Sequence, residues 1–258
     1  MPCEINSDFL DSNFSKEETI RYFGLDFWSL MNESCGNYDL TLSAIAFIDF
    51  IMNNRSKESR ICDLMCGNGR HAIGLSSLGY KLTAIDVRTD VIDSVRSQIK
   101  NDRLNWVVAD VYEGIPNRKY DAITILTSSL GYYGIDEDKR LLETCYNKLE
   151  NNGILILDLP NGEWILENFV KKDWIKAGNK YYLFQYALID KTKYTKMTVL
   201  DGDSKNDYYM QMYLYKTGEI LAILKEIGFE TVEIYGDFCF DTIETVTNQR
   251  RIQLVAKR

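Results

Sequence analysis

The stretch Ile61-Cys62-Asp63-Leu64-Met65-Cys66-Gly67-Asn68-Gly69-Arg70-His71 has the pattern of a short apolar strand that runs through a glycine loop into a helix. Gly67 and Gly69 permit a tight turn and let a ligand approach the backbone closely. The first turn of the following helix has N–H groups without helical partners. In open α/β sheets, nucleotide-like ligands bind at such a turn, at the carboxyl end of a strand. The stretch therefore predicts both the fold class and the position of a ligand site.

Short apolar strands and amphipathic helices alternate after this loop. Further strands are expected at 81–86, 104–109, 120–127 and 154–158, with helices at 71–78, at 89–99 and from Asp136 onward. A helix at 218–227 and strands at 231–235 and 252–257 follow later in the chain. This alternation predicts an α/β fold with a doubly wound, mostly parallel seven-stranded sheet.

Residues 163–215 interrupt the alternation. Three runs in this segment alternate in polarity and are rich in Tyr, Thr and Val, at 181–189, 194–200 and 207–215. We therefore expect an antiparallel ribbon inserted after strand five, which covers the substrate or contacts a second copy. The expected domains are a helical cap segment at 1–60, a core at 61–162 and 216–258, and this ribbon at 163–215.

Composition excludes several classes of protein. No apolar run approaches the roughly 20 residues that span a membrane, and residues 1–11 lack a signal-peptide pattern. We expect a cytoplasmic protein without membrane contact. The net charge of −8 disfavours a nucleic-acid substrate. The single histidine and the scattered cysteines exclude a Ser-His-Asp triad elsewhere and predict no metal site.

Acidic residues near three strand ends indicate which ligand the glycine loop binds. The run Gly67-x-Gly69-x-x-Ala72 formally matches the dinucleotide pattern of dehydrogenases, or is an ordinary tight turn. However, Asp63, Asp86 and Asp110 lie near the ends of three successive strands. Carboxylates at these places suit a ligand with an ammonium group, a ribose and an adenine, whereas they repel a pyrophosphate.

With these motifs the sequence resembles the class I S-adenosylmethionine-dependent methyltransferases, most closely over residues 36–160. Residues 63–69 look like the first family motif, whose loop packs against the methionine part of the cofactor. Residues 127–132 follow strand four, where family members line the methyl-transfer site, and residues 153–158 resemble the strand-five motif. The resemblance implies S-adenosylmethionine as cofactor. The predicted cofactor-binding residues are Tyr22, Tyr38, Asp63, Cys66, Gly67, Asn68, Gly69, Asp86, Val87, Asp110, Val111 and Thr127.

Several of these residues have a second interpretation. Tyr22 belongs to an aromatic cluster whose faces suit a sulfonium or an ammonium group, or which simply packs on the sheet. Tyr38 is included because relatives often place a cofactor-contacting tyrosine before strand one. Asp63 can instead brace the loop, Asp86 can cap a helix and Asp110 can cap a turn. His71 is expected to be a packed or surface residue rather than a base.

Two residues are predicted to act on the methyl acceptor. Asp158, at the end of strand five, can hold a substrate amine and help remove its proton, or it can fix the next turn. Tyr132 can line the acceptor site, or merely pack.

The resemblance also narrows the acceptor. The run Thr127-Ser128-Ser129-Leu130-Gly131-Tyr132 departs from the motif of nucleic-acid amino-methyltransferases. It looks more like aminosugar N-methyltransferases and the N-terminal amine methyltransferases of peptide natural products. We expect N-methylation of a small-molecule or peptide-derived amine by a monomer or homodimer. O-methylation of a small metabolite, or a non-catalytic subunit that binds S-adenosylmethionine, remains an alternative.

Overall fold

The computed structural model describes residues 14–33, 35–246 and 248–258, and for residues 35–39 it describes the backbone only. The helices are α1 (Lys16–Tyr22), α2 (Leu25–Glu33), α3 (Cys35–Ile51), α4 (Arg70–Ser77), α5 (Thr89–Arg96), α6 (Ile135–Lys148), α7 (Gly162–Glu167) and α8 (Thr217–Ile227). The strands are β1 (Arg60–Leu64), β2 (Lys81–Asp86), β3 (Leu104–Val108), β4 (Tyr120–Ile125), β5 (Leu149–Pro160), β6 (Lys172–Ala177), β7 (Lys180–Ile189), β8 (Thr192–Asp201), β9 (Ser204–Tyr213), β10 (Thr231–Gly236) and β11 (Arg251–Lys257).

The larger sheet has seven strands in the order β10-β11-β5-β4-β1-β2-β3. Strands β1 to β5 are parallel, whereas β11 is antiparallel to both β5 and β10. The predicted doubly wound, mostly parallel seven-stranded sheet is therefore confirmed. The strand order reverses between β4 and β1, and the carboxyl ends of the strands border a crevice at this point.

Helices cover both faces of this sheet, which explains why its parallel strands are almost wholly apolar. On one face, buried side chains of α6 and α8 pack on β4 and β5. On the other face, buried side chains of α3 and α4 pack on β1 and β2. Burial on both faces fixes the carboxyl ends of β1, β2 and β4 relative to one another.

The insertion after β5 forms a second, four-stranded antiparallel sheet in the order β6-β7-β8-β9. The antiparallel insertion that the sequence predicted is confirmed. It includes β6, which the sequence did not predict because five of its six residues are exposed and its pattern is weak. The inner face of this sheet packs against α1 and the loop after β4. The division of the chain into a cap, a core and a ribbon stays a proposal.

A buried carboxylate, Asp138, connects three parts of the structure around the crevice. It is 0% exposed, and it accepts hydrogen bonds from the hydroxyls of Tyr112 at 2.9 Å and Tyr215 at 2.7 Å. Tyr112 lies on the β3 side of the crevice, and Tyr215 follows the second sheet. Burial raises the pKa of the Asp138 carboxyl to about 6.

Replacement of Asp138 by Asn should change how stability depends on pH. A carboxyl whose pKa is higher in the folded state favours folding when protonated, so stability falls as pH rises from about 4 to 6. Between pH 4 and pH 7, wild type should lose about 3 kcal/mol of unfolding free energy relative to Asp138→Asn. Urea unfolding across this range measures the difference. Asp136→Asn, at an exposed position of the same helix turn, is the control, and parallel curves for wild type and Asp138→Asn would contradict the prediction.

Candidate active site

A cavity opens at the carboxyl ends of β1, β2 and β4, where the strand order reverses. Side chains of helices α1 and α2 cover this cavity. The predicted residues that line it are Asp63, Cys66, Asp86, Val87, Asp110, Val111, Thr127 and Tyr132. Eight of the 22 residues of the cavity wall were thus predicted from the sequence.

The glycine loop forms the turn between β1 and α4, beside the cavity. Gly67 and Gly69 have φ values of +55° and +70°, which glycine adopts without strain. A Cβ atom on Gly67 would lie 2.0 Å from the Trp28 ring, so the indole packs directly on this backbone. The Gly67 N–H donates a hydrogen bond of 2.8 Å to Asp86 Oδ2. The loop is thus fixed from α2 on one side and from the end of β2 on the other.

Asp86 lies at the end of β2 and is 9% exposed. Besides the Gly67 N–H, its carboxylate accepts the Arg88 N–H at 2.9 Å. Burial raises the pKa of this carboxyl, which these backbone hydrogen bonds oppose. A carboxylate has about four acceptor positions, so Asp86 keeps acceptor capacity for a pair of ligand hydroxyls.

Two groups of opposite charge in this cavity have an atom without a partner. Asp63 pairs in register with Thr124, whose hydroxyl donates to Oδ1 at 2.8 Å, but Asp63 Oδ2 has no hydrogen bond to any described residue. Arg70 Nε is also buried without a partner in the described parts of the chain, while its Nη2 donates to the Thr127 hydroxyl at 3.3 Å. Burial raises the pKa of the Asp63 carboxyl to about 7. Buried polar atoms are normally satisfied, so this pair of atoms fits the ammonium and the carboxylate of an amino acid.

Helices α1 and α2 form the cap over the cavity, and Phe23, Phe27 and Trp28 line it from this side. Arg88 Nη1 donates to the Ile20 carbonyl at 3.0 Å, which ties the cap to the end of β2. Lys16 forms an ion pair with Asp110 at the start of α1. The Asp110 carboxylate therefore already has a partner, and its predicted contact with an adenine amino group stays a prediction.

Five predicted cofactor-binding residues are not among those described as lining the cavity. Two of them, Gly67 and Gly69, form the turn of the glycine loop. Tyr22 is buried in the apolar cluster against the second sheet, because α1 directs Thr19 and Ile20 toward the cavity instead. The Asn68 amide donates to Asn32 Oδ1 at 3.2 Å. The side chain of Tyr38 lies outside the described residues.

The structure differs most from the sequence-based predictions at Asp158, which was predicted to contact the substrate amine. Its carboxylate is 2% exposed and does not line the cavity. Oδ1 accepts hydrogen bonds of 2.9 Å from Arg251 Nε and from Gln253 Nε2. Oδ2 accepts from Arg251 Nη2 at 2.6 Å and from the Thr127 N–H at 2.9 Å. Four donors occupy the four acceptor positions of the carboxylate, so this geometry does not support a role as base.

The contacts of Asp158 instead hold the loop that follows β4. Thr127 and Ser128 have φ values of +56° and +61°, a region that side chains rarely adopt. The Ser128 N–H donates to the Asp158 carbonyl at 3.0 Å, and Arg251 Nη2 donates to the Ser128 hydroxyl at 3.0 Å. Because of this backbone conformation, β4 ends at Ile125, whereas the sequence predicted a strand that continues to Thr127. The pair of Asp158 and Arg251 therefore fixes the loop that carries Tyr132.

His71 lies on the cavity wall at the start of α4 and is 6% exposed. Burial, with the positive charges of Arg70 and Arg251, lowers the pKa of its imidazole to about 3. The ring is therefore neutral at physiological pH and a weak base. The charged groups near the cavity that were not predicted from the sequence include Arg70, Arg88, Arg251 and the cap residue Lys16. Only Arg70 carried a local signal, because it directly follows the glycine loop.

The chain is similar to known methyltransferases in sequence and in fold. A family model described as a methyltransferase domain matches residues 61–153. A glycine/sarcosine N-methyltransferase from Aphanothece halophytica is 24% identical over 251 residues, which cover 92% of this chain and 88% of that protein.

Two solved structures have the same fold. An S-adenosylmethionine-dependent methyltransferase from Clostridium acetobutylicum has a TM-score of 0.72 and 20% identity, and the match covers 84% of this chain and 90% of that one. The sugar N-methyltransferase KedS8 from a Streptoalloteichus species has a TM-score of 0.66 and 17% identity, covering 84% and 87%.

The matched domain contains β1 to β4, the glycine loop and Asp63 and Asp86. The cavity it borders offers acceptors for ribose hydroxyls and unpaired groups for an amino acid, which are the parts of S-adenosylmethionine. Residues 61–153 thus match a methyltransferase domain, and the chain has the fold of S-adenosylmethionine-dependent methyltransferases of known structure.

Proposed function

We propose that this enzyme methylates an amine nitrogen of a small-molecule or peptide-derived natural product. The observation that carries the proposal is the lack of a free base on the acceptor side of the described cavity wall. Asp158 is saturated with hydrogen bonds, and His71 has a pKa of about 3. A hydroxyl needs a base to become a nucleophile, whereas a neutral amine attacks without one. The N-methyltransferase activity named for the relatives supports the same choice.

The proposed cofactor contacts follow from the unused atoms of the cavity. Asp63 Oδ2 binds the ammonium of the methionine part, and Arg70 binds its carboxylate. Asp86 binds the ribose hydroxyls, with Val87, Asp110 and Val111 around the adenine. The bound cofactor supplies an electrophilic methyl group on a sulfonium. The chain itself supplies orientation and a site from which the cap excludes water.

The acceptor side of the cavity is aromatic. Phe23, Phe27, Tyr132 and Tyr133 line it, and their faces suit a cationic sulfonium. Tyr132 donates its hydroxyl hydrogen to the Ser128 carbonyl at 3.0 Å, and burial raises the pKa of its phenol. The Tyr132 hydroxyl therefore stays protonated, and its oxygen can still accept a hydrogen bond. By accepting one from an N–H of the amine, it orients the lone pair of the nitrogen.

A methyl-transfer assay tests the proposal directly. The wild-type enzyme is incubated with S-adenosylmethionine and matched pairs of compounds that carry either an amine or a hydroxyl at the same position. We expect methylated amines, at a rate that rises with pH until the amine is fully neutral. Methylation of the hydroxyl compounds alone would replace the proposal with O-methylation, and cofactor binding without any transfer would favour a non-catalytic subunit.

Replacement of Tyr132 by Phe should lower kcat/KM for the amine by about tenfold, because one orienting hydrogen bond is lost. The affinity for S-adenosylhomocysteine should stay within about twofold of wild type. Tyr133→Phe is the matched control on the same cavity wall. A larger loss of kcat/KM in Tyr133→Phe than in Tyr132→Phe would show that Tyr133, and not Tyr132, contacts the amine.

The pKa of Asp63 predicts a pH-dependent affinity for the cofactor. A ligand ammonium favours the ionised carboxylate, so affinity should fall as pH drops below about 7. Calorimetry with S-adenosylhomocysteine should show a decrease approaching tenfold per pH unit in wild type. Asp63→Asn should bind at least about tenfold more weakly and lose this dependence.

Thr124→Val provides the matched variant. The Thr124 hydroxyl lowers the pKa of Asp63, so its removal should move the fall in affinity to higher pH. An unchanged pH dependence in both variants would remove Asp63 from the cofactor site.

A double-mutant cycle tests whether Asp158 acts through Arg251. Asp158→Asn and Arg251→Gln should each lower kcat and destabilise the fold by about 3–5 kcal/mol, because each leaves a buried group without its partner. The double variant should be no worse than either single one, as expected for two groups that work as a unit. Full activity of Arg251→Gln combined with an inactive Asp158→Asn would restore Asp158 as the base.

A further inference from the structure

The inner face of the second sheet carries a cation in an apolar setting. Lys193 in β8 pairs in register with Leu188 of β7 and Met212 of β9, so the three side chains lie on one face. Leu188 and Met212 belong to the apolar cluster between this sheet, α1 and the loop after β4. Burial lowers the pKa of the Lys193 ammonium. Within residues 14–33, 35–246 and 248–258, Lys193 forms no ion pair with an acidic group.

The Lys193 ammonium lies over a tyrosine ring, and a buried hydroxyl lies beside that ring. Lys193 Nζ is 4.1 Å from the centroid of Tyr186. Thr195 lies directly opposite Tyr186 in the β7–β8 register, and is 2% exposed. Its Oγ1 is buried and has no hydrogen-bond partner among the residues that the structure describes. An ammonium and an unsatisfied hydroxyl therefore flank the same aromatic ring.

This pair is connected to the acceptor side of the cavity through Met212 and Gly131. Met212 is adjacent to Lys193 in the register, and its Cγ lies 3.2 Å from where a Cβ on Gly131 would be. The Tyr213 N–H donates to the Gly131 carbonyl at 2.7 Å. Gly131 immediately precedes Tyr132 of the cavity wall. The base of the second sheet is thus fastened to the loop proposed to hold the reacting nitrogen.

Most cations beside the cavity already have a partner. Arg251 is bound to Asp158, Arg88 to Asp90, and Lys16 to Asp110. Arg70 lies beside Asp63 and is assigned above to the carboxylate of the cofactor. Lys176 of β6 also lacks an acidic partner in the described parts of the chain, but it is exposed, whereas Lys193 lies on the inner face of the second sheet.

We propose that Lys193 and Thr195 bind a carboxylate of the amine acceptor. The inference rests on the proposed function, and it narrows the acceptor to an amine that also carries a carboxylate. One ammonium and one hydroxyl match the two oxygens of a monoanion. A phosphate dianion would need more donors than this face provides, and the net charge of −8 opposes more highly charged substrates.

The first experiment compares methylation of amino acids with that of their methyl esters, using glycine, sarcosine and aromatic amino acids. Wild type should prefer each acid over its ester by at least about tenfold in kcat/KM. Lys193→Met should lose that preference, whereas Lys193→Arg should keep most of it because the charge is retained. Lys176→Met is the matched control, because Lys176 also lies over a tyrosine ring, but on an exposed strand of the same sheet.

The second experiment measures binding without turnover, so that it does not depend on the proposed reaction. Simple carboxylates from acetate to 3-phenylpropionate are titrated by calorimetry into the complex with S-adenosylhomocysteine. We expect binding in wild type and Lys176→Met, with a loss of at least about tenfold in Lys193→Met and a smaller loss in Thr195→Val.

The two experiments separate the possible failures. If amines are methylated but acids and esters react equally, and Lys193→Met changes neither, the carboxylate site is wrong and the proposed function stands. If no amine is methylated but carboxylates bind in a manner that depends on Lys193, the site stands and N-methylation is wrong. Absence of carboxylate binding in wild type would overturn the inference.

Discussion

The buried ion pair between Asp158 and Arg251 is the constraint on which the acceptor side of this enzyme depends. It joins β5 to β11, and it supplies hydrogen bonds to a loop whose residues Thr127 and Ser128 have left-handed backbone conformations. A buried ion pair adds little net stability compared with apolar packing. In this protein the ion pair holds a strained loop in one conformation, and this fixes the position of Tyr132.

The cofactor side follows a different principle. There, charged groups are incompletely bonded, and Asp63 and Arg70 each have a buried atom without a partner among the described residues. Buried unsatisfied atoms cost stability, so their presence in one cavity is best explained by a ligand that completes them. On the second sheet, Thr195 Oγ1 is unsatisfied in the same sense, and the Lys193 ammonium lies over the neighbouring Tyr186 ring. These groups are the basis of the contacts proposed for both substrates.

The sequence predicted the parts of the structure that depend on local pattern. The parallel strands were evident because burial on both faces makes them apolar, and the carboxyl ends of such strands meet at one edge of a sheet. That geometry was enough to bring Asp63 and Asp86 to one cavity. The glycine loop was recognisable from Gly67 and Gly69 after an apolar strand, and the structure shows that Gly67 has no room for a side chain beside Trp28.

Contacts between distant parts of the chain were not predictable in this way. Asp158 and Arg251 are 93 residues apart, so the single-sequence pattern showed an acid at a strand end and not the partner that saturates it. The orientation of Tyr22 depends on the second sheet, which packs against the other side of α1. The sequence does not distinguish Lys193 from the other lysines, because its apolar surroundings depend on the register of three strands.

The most direct test of the account is a crystal structure of the enzyme with S-adenosylhomocysteine and a methylated amine product. The account predicts that the product nitrogen lies within hydrogen-bond distance of Tyr132 Oη, that Asp63 contacts the cofactor ammonium, and that Asp158 remains bound to Arg251. An Asp158 carboxylate turned away from Arg251 and bonded to the product nitrogen would contradict it.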